Sequence, residues 1–153
     1  MSRVQLALNV DDIDAAVAFY SQLLQAEPAK RRPGYANFAL DEPALKLVLL
    51  ENPGHGGSLN HLGVEVGSTD EVVAATRRLA EAGLPTAVEE GTTCCYALQD
   101  KVWATGPGGE KWEVYTVLAD AGAELEGKTL AEAGATPAAG PQAADGGSVC
   151  CTG

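Results

Sequence analysis

A chain of 153 residues with 46% apolar composition is long enough for one domain, or two small halves sharing a core, without disulfide support. Its net charge of −11, with Lys and Arg scattered apart from Lys30-Arg31-Arg32, argues against nucleic acid as a partner because the phosphates would be repelled. No apolar run approaches the ~20 residues of a membrane helix, and Met1-Ser2-Arg3 leads straight into a strand pattern rather than a secretory signal, so a cytoplasmic location is expected.

The opening stretch Val4-Gln5-Leu6-Ala7-Leu8-Asn9-Val10 alternates with the period of a half-buried strand. Asn9 to Asp12 supplies helix caps, and Ile13, Val17, Tyr20 and Leu24 form the buried stripe of a helix over 13–25, stopped by Pro28. Strands are expected over 29–32, 35–40 and 45–51, separated by the turn signals Pro33-Gly34 and Asp41-Glu42-Pro43. A Gly-rich loop follows, in which His55 is expected to be exposed.

Asn60-His61-Leu62-Gly63-Val64-Glu65-Val66 then opens a second copy, with His61, Gly63 and Glu65 on one face. Ser68 with Glu71 fits a capping box for a helix over 70–81, whose buried side is expected to be Val72, Val73, Thr76, Leu79 and Ala80. Gly83 and Pro85 end it. Strand candidates are 86–89, 95–99, 101–105 and 111–117.

Gln5 aligns with His61 at an offset of 56 and Asp12 with Thr69 at 57, whereas Lys46 aligns with Lys111 at 65, so about eight residues entered between helix and last strand. That interval holds Gly91-Thr92-Thr93-Cys94-Cys95, read as an elaborated loop carrying a thiol pair. The modules are expected at about 3–51 and 58–118 within a domain over 1–118. Residues 119–153, rich in Ala, Gly and Pro and without a period, are expected to form a disordered tail ending in Cys150-Cys151. Neighbouring Cα atoms lie ~3.8 Å apart, below the usual disulfide range, so both cysteine pairs are expected as thiols in a reducing compartment.

Two successive βαβββ modules resemble the vicinal oxygen chelate superfamily of glyoxalases, bleomycin-resistance proteins and extradiol dioxygenases, over about residues 3–117. That resemblance implies an α+β fold in which the tandem βαβββ modules form a cupped mixed sheet around a metal. The family's ligand positions here are Gln5, Val48, His61 and Glu113; Val48 cannot bind metal, which leaves three. Val4 to Val10, Arg32-Pro33-Gly34-Tyr35-Ala36-Asn37-Phe38, Asn52-Pro53-Gly54, Asn60 to Glu65 and Thr92-Thr93-Cys94-Cys95-Tyr96 are more specifically similar to the iron-dependent organoarsenical carbon–arsenic lyases, a family also called cadmium-induced proteins. It implies Fe(II) at Gln5, His61 and Glu113, trivalent methyl or aryl arsenicals held by Cys94 and Cys95, and carbon–arsenic cleavage with dioxygen that releases arsenite.

Read without the family, each residue has a plainer role open to it. His61 could be a hydrogen-bonded core residue, Glu113 could face solvent on an edge strand, and Gln5 could pair with backbone. Glu65 shares the face of His61 but has no carboxylate position left to fill. Tyr96, Gln99, Lys101 and Trp103 could line the pocket mouth. Two rival functions remain: a non-catalytic cadmium- or arsenite-binding protein, and another superfamily activity such as thiol transfer to an antibiotic. The expected partner is a small molecule, with the protein a monomer or homodimer.

Overall fold

The computed structural model describes residues 2–94 and 96–120. The expected tail beyond Asp120, including Cys150 and Cys151, lies outside the described residues, as does Cys95. In chain order the elements are β1 (Arg3–Val10), α1 (Ile13–Leu24), β2 (Lys30–Arg32), β3 (Tyr35–Leu40), β4 (Leu45–Glu51), β5 (Leu59–Glu65), α2 (Thr69–Glu81), β6 (Thr86–Cys94), β7 (Ala97–Thr105) and β8 (Lys111–Asp120). This is the expected pair of βαβββ modules. Among the described residues no helix is long and apolar enough to cross a membrane.

Both helices start where the caps predict. The Asp12 carboxylate accepts from the Ala15 N–H at 2.8 Å, and the Ser68 hydroxyl accepts from the Glu71 N–H at 3.3 Å. Gln25 closes α1 at φ 51°, in the left-handed region. In α2 the buried residues are Val72 and Ala75, whereas Val73 and Ala80 are exposed. Two of the five expected positions are therefore exposed, and Ala75 joins Val72 on the buried side.

The second module corrects the sequence reading at the thiol segment. The strand expected to end at 89 runs on to Cys94, which therefore belongs to β6 rather than to a loop, and the strands expected over 95–99 and 101–105 are one, β7. The extra residues lengthen the β6–β7 hairpin, where the register slips between Glu89 and Thr92 and Gly91 takes φ +54°. A bulge of this kind absorbs inserted residues while pairing resumes on either side. The strand expected to end at 117 runs to Asp120.

All eight strands form one sheet in the order β2-β3-β4-β1-β5-β8-β7-β6. The modules join at its centre, where β1 and β5 pair antiparallel, so one chain builds the whole arrangement. One face packs on the helices: Ile13 and Val17 of α1 meet Phe38, Leu47 and Leu49, and Val72 and Ala75 of α2 meet Val102. The other face has no helix over it, yet Gln5, Asn37, His61, Gln99, Lys101, Glu113 and Tyr115 on it are buried.

Curling of the sheet accounts for that burial. The Lys30 ammonium on the β2 edge donates to the Tyr96 carbonyl at 3.1 Å and to the Asp120 carboxylate at the end of β8. The rings of Tyr35 and Tyr96 meet edge to face at 5.4 Å. The concave face is thus enclosed by its own edges.

Candidate functional site

Period-two alternation sends Gln5 of β1, His61 of β5 and Glu113 of β8 into the cup from three adjacent strands. Strand register then sets their heights, with Gly63 opposite both Gln5 and Glu113. The Gln5 amide nitrogen donates to Glu113 Oε1 at 2.7 Å and lies 3.1 Å from His61 Nε2; His61 Nε2 and Glu113 Oε1 are 3.4 Å apart. Each of the three residues is at most 4% exposed.

Those separations are hydrogen-bond distances, and donors about 2.1 Å from a shared six-coordinate cation would stand about 3 Å apart, so the triangle is of a size to hold one. A set of amide, imidazole and carboxylate with positions left open is close to the facial triad of non-haem iron, with Gln in place of one His. The amide has to present its oxygen, and the network permits the turn. Tyr115 donates to Gln5 Oε1 and lies 3.0 Å from Glu65 Oε2; its hydroxyl can instead accept from the amide while donating to Glu65. Gly63 leaves the needed room, since a Cβ there would stand 3.0 Å from Glu113 Cγ and 3.3 Å from the Gln5 amide. Among the described residues no trio of His, Cys, Asp and Glu alone gathers in this way; the third donor here is an amide.

Around the triangle lies a second layer that sequence reasoning largely missed. His61 Nδ1 is 2.7 Å from Asn60 Oδ1, and Asn60 in turn donates to Asn9 Oδ1 at 3.0 Å. A ring proton on Nδ1, held by Asn60, would leave the Nε2 lone pair for a metal, whereas a proton on Nε2 faces Glu113. Lys101, fully buried, donates to Glu113 Oε2 at 2.9 Å. Burial alone would push the Glu113 carboxyl up, but the His61 contact and the Lys101 ammonium outweigh it and hold the pKa below the ordinary 4.5. Glu65 is occupied otherwise, paired to Lys46 at 2.8 Å, and so is not part of the triangle. Lys101 had been expected at the pocket mouth, and the available signal for Tyr115 was parity, since it lies two residues from Glu113.

At the fourth position of the expected ligand set, Val48 is buried with Ala7, Tyr35 and Leu50, and Tyr96 packs on that patch. No donor stands there, as its side chain requires.

Cys94, 4% exposed, packs against Trp103, and the Trp103 ring meets His61 edge to face at 5.5 Å. One indole therefore links the cysteine to the metal-ligand candidate. Cys94 is in a disulfide bond, contrary to the thiol expectation. That expectation rested on the short Cα separation within an adjacent pair and on the redox poise of a compartment, and the fold does not encode the second. His55 is exposed, as expected.

The chain from 3 to 114 matches the family model of the Glyoxalase/Bleomycin resistance protein/Dioxygenase superfamily. It is 75% identical over 120 residues to the cadmium-induced protein CadI of Mycobacterium tuberculosis, spanning 78% of this chain and 79% of that protein. It is 62% identical over 122 residues to the trivalent organoarsenical cleaving enzyme of Thermomonospora curvata, spanning 79% and 81%. Among solved structures it resembles the homoprotocatechuate 2,3-dioxygenase of Brevibacterium fuscum, with a TM-score of 0.59 at 19% identity over 77% of this chain and 37% of that one.

Proposed function

Since the chain belongs to the glyoxalase/bleomycin resistance protein/dioxygenase superfamily, we propose that it is a non-haem, Fe(II)- and dioxygen-dependent lyase that cleaves the carbon–arsenic bond of trivalent methyl and aryl arsenicals and releases arsenite. The observation that carries this reading is the buried Gln5–His61–Glu113 triangle, joined to Cys94 through the single indole of Trp103. The relative from Thermomonospora curvata supports the substrate class by its name.

In this mechanism Gln5, His61 and Glu113 hold the metal through oxygen, nitrogen and oxygen. Fe(II) bound there supplies the redox chemistry with dioxygen that amino-acid side chains lack. The remaining work falls to the chain. Cys94 and Cys95, reduced to thiols, hold arsenic as soft donors and leave its third valence for the organic group. Trp103 forms the wall between arsenic and metal donors, and Tyr96 over Val48 excludes water from the cup. Lys101 occupies the second oxygen of Glu113 and, after the His61 contact, helps hold the carboxyl below its ordinary value against the effect of burial.

The test is anaerobic loading of the reduced protein with Fe(II), followed by methylarsenite with and without dioxygen while arsenic species are followed. Arsenite release that requires both iron and dioxygen is expected. Tight arsenical binding with no product under any condition would leave a sequestering protein instead. That second reading draws on the name of the CadI relative; it needs the cysteines but gives no purpose to the converged donors or to Gly63.

Asn60 provides an independent check on the metal. Asn60→Ala removes the acceptor that holds the proton on His61 Nδ1, and outer partners of this kind are worth about 10–100-fold in metal affinity. Titration with Co(II), read by its visible spectrum, should show that loss. Unchanged affinity would remove Asn60 from the site's support.

A further inference from the structure

β7 places Gln99 on the concave face beside Lys101, and nothing in the mechanism uses it. The side chain is 5% exposed. Its amide nitrogen donates to the Cys94 carbonyl at 3.4 Å, and because a carbonyl only accepts, that contact decides which end of the amide is which. Oε1 is then left buried without a hydrogen-bond partner. A buried acceptor in that state is costly and is exceptional in folded proteins.

Gln99 lines a cavity of about 260 Å³ with Ala97, Tyr35, Asn37, Lys46 and Glu65. The other polar groups along it have partners: Lys46 donates to Glu65 at 2.8 Å, Asn37 donates to the Tyr35 hydroxyl at 2.7 Å, and Lys30 and Arg3 pair with Asp120 and Asp41. On one side Ala97 is paired with Cys94 in the β6–β7 ladder. On the other, Glu65 is joined through Tyr115 to Gln5. Ala97 thus joins the cavity wall to the strand that carries Cys94, and Glu65 joins it to the layer beneath the metal donors. A cavity of about 150 Å³ already admits benzene, so this one has room for a substituted ring.

We propose that this cavity receives the organic group carried by arsenic, and that Gln99 Oε1 selects aryl groups bearing a neutral hydrogen-bond donor, such as a ring amine or hydroxyl. The proposal rests on the arsenical reading of Cys94 and Cys95. Because the charges around the cavity are already paired, a neutral donor fits where an additional charge would not. Methyl arsenicals do not reach Gln99 and are indifferent to it.

The experiment measures dissociation constants of the reduced, metal-free full chain under anaerobic conditions for methylarsenite, phenylarsenite and 4-aminophenylarsenite. Wild type should prefer the amino compound over phenylarsenite by about tenfold, the scale of one buried hydrogen bond. Gln99→Leu should erase that preference and leave methylarsenite binding unchanged. Gln99→Met, which keeps the unbranched shape, should do the same and guards against a folding effect of the branched side chain. Equal binding of the two aryl compounds by wild type, or a preference surviving in both variants, overturns the proposal while the arsenical site stands. Failure of all three arsenicals to bind overturns both.

Discussion

Glu113→Ala is expected to abolish arsenite release and to weaken iron binding by more than the about 100-fold that loss of an outer partner reaches. It removes one corner of the donor triangle and takes one partner from Lys101, whose ammonium is fully buried and donates to Glu113 at 2.9 Å. Removing one partner of a buried pair costs up to about 3–5 kcal/mol. A melting temperature lowered by roughly 10–20 °C follows for a domain of this size.

The two effects can be separated. Replacing both partners, as Glu113→Ala with Lys101→Met, restores most of the stability, since apolar groups in place of a buried pair are often neutral. It does not restore iron binding. If the double variant regains both stability and wild-type iron affinity, Glu113 is a structural partner of Lys101 and not a ligand. Arsenical binding should survive in these variants, because arsenic is held by sulfur. Binding that disappeared together with the carboxylate would contradict the division between metal and thiol sites.

The second large effect concerns the cysteines. With Cys94 in a disulfide, its sulfur has no thiolate to offer a soft metalloid. Untreated protein in that state should bind methylarsenite at least about a hundredfold more weakly than protein reduced beforehand with a phosphine, which, unlike a dithiol, does not chelate arsenic through sulfur. Cys94→Ser should remain weak with or without reductant while its iron affinity stays at the wild-type level. Retention of tight binding in the oxidised protein, or in Cys94→Ser, would move the arsenic site elsewhere. Calorimetry with methylarsenite and a parallel Co(II) titration distinguish these outcomes.

Local patterns were enough for most of the fold. The period-two runs at Val4–Val10 and Asn60–Val66, the caps Asp12 and Ser68 and the turns at Pro33-Gly34 and Gly83 are short-range features, and each appears in the structure within a residue or two of its expected place. The thiol segment was misplaced for a physical reason. A bulge such as the one between Glu89 and Thr92 breaks the alternation without ending the strand, so pattern reading cuts one long hairpin into shorter pieces.

The site divides along the same line. The direction of Gln5, His61 and Glu113 along their strands was legible from parity and the internal repeat, because side-chain direction along a strand is written in the sequence, but it was the resemblance to a known superfamily that grouped them as a ligand set. Gly63 as the space that lets them meet, Lys101 as the cation on Glu113, Asn60 behind His61 and the empty acceptor of Gln99 were not. Each depends on which strands become neighbours and on how far the sheet curls. Sequence alone determined the modules, the faces of their strands and the residue types offered to the cup. Only tertiary structure decided which of those residues touch, because register across the β1–β5 and β5–β8 pairs, and the closure that brings Lys30 to Tyr96, join positions about 50 or more residues apart.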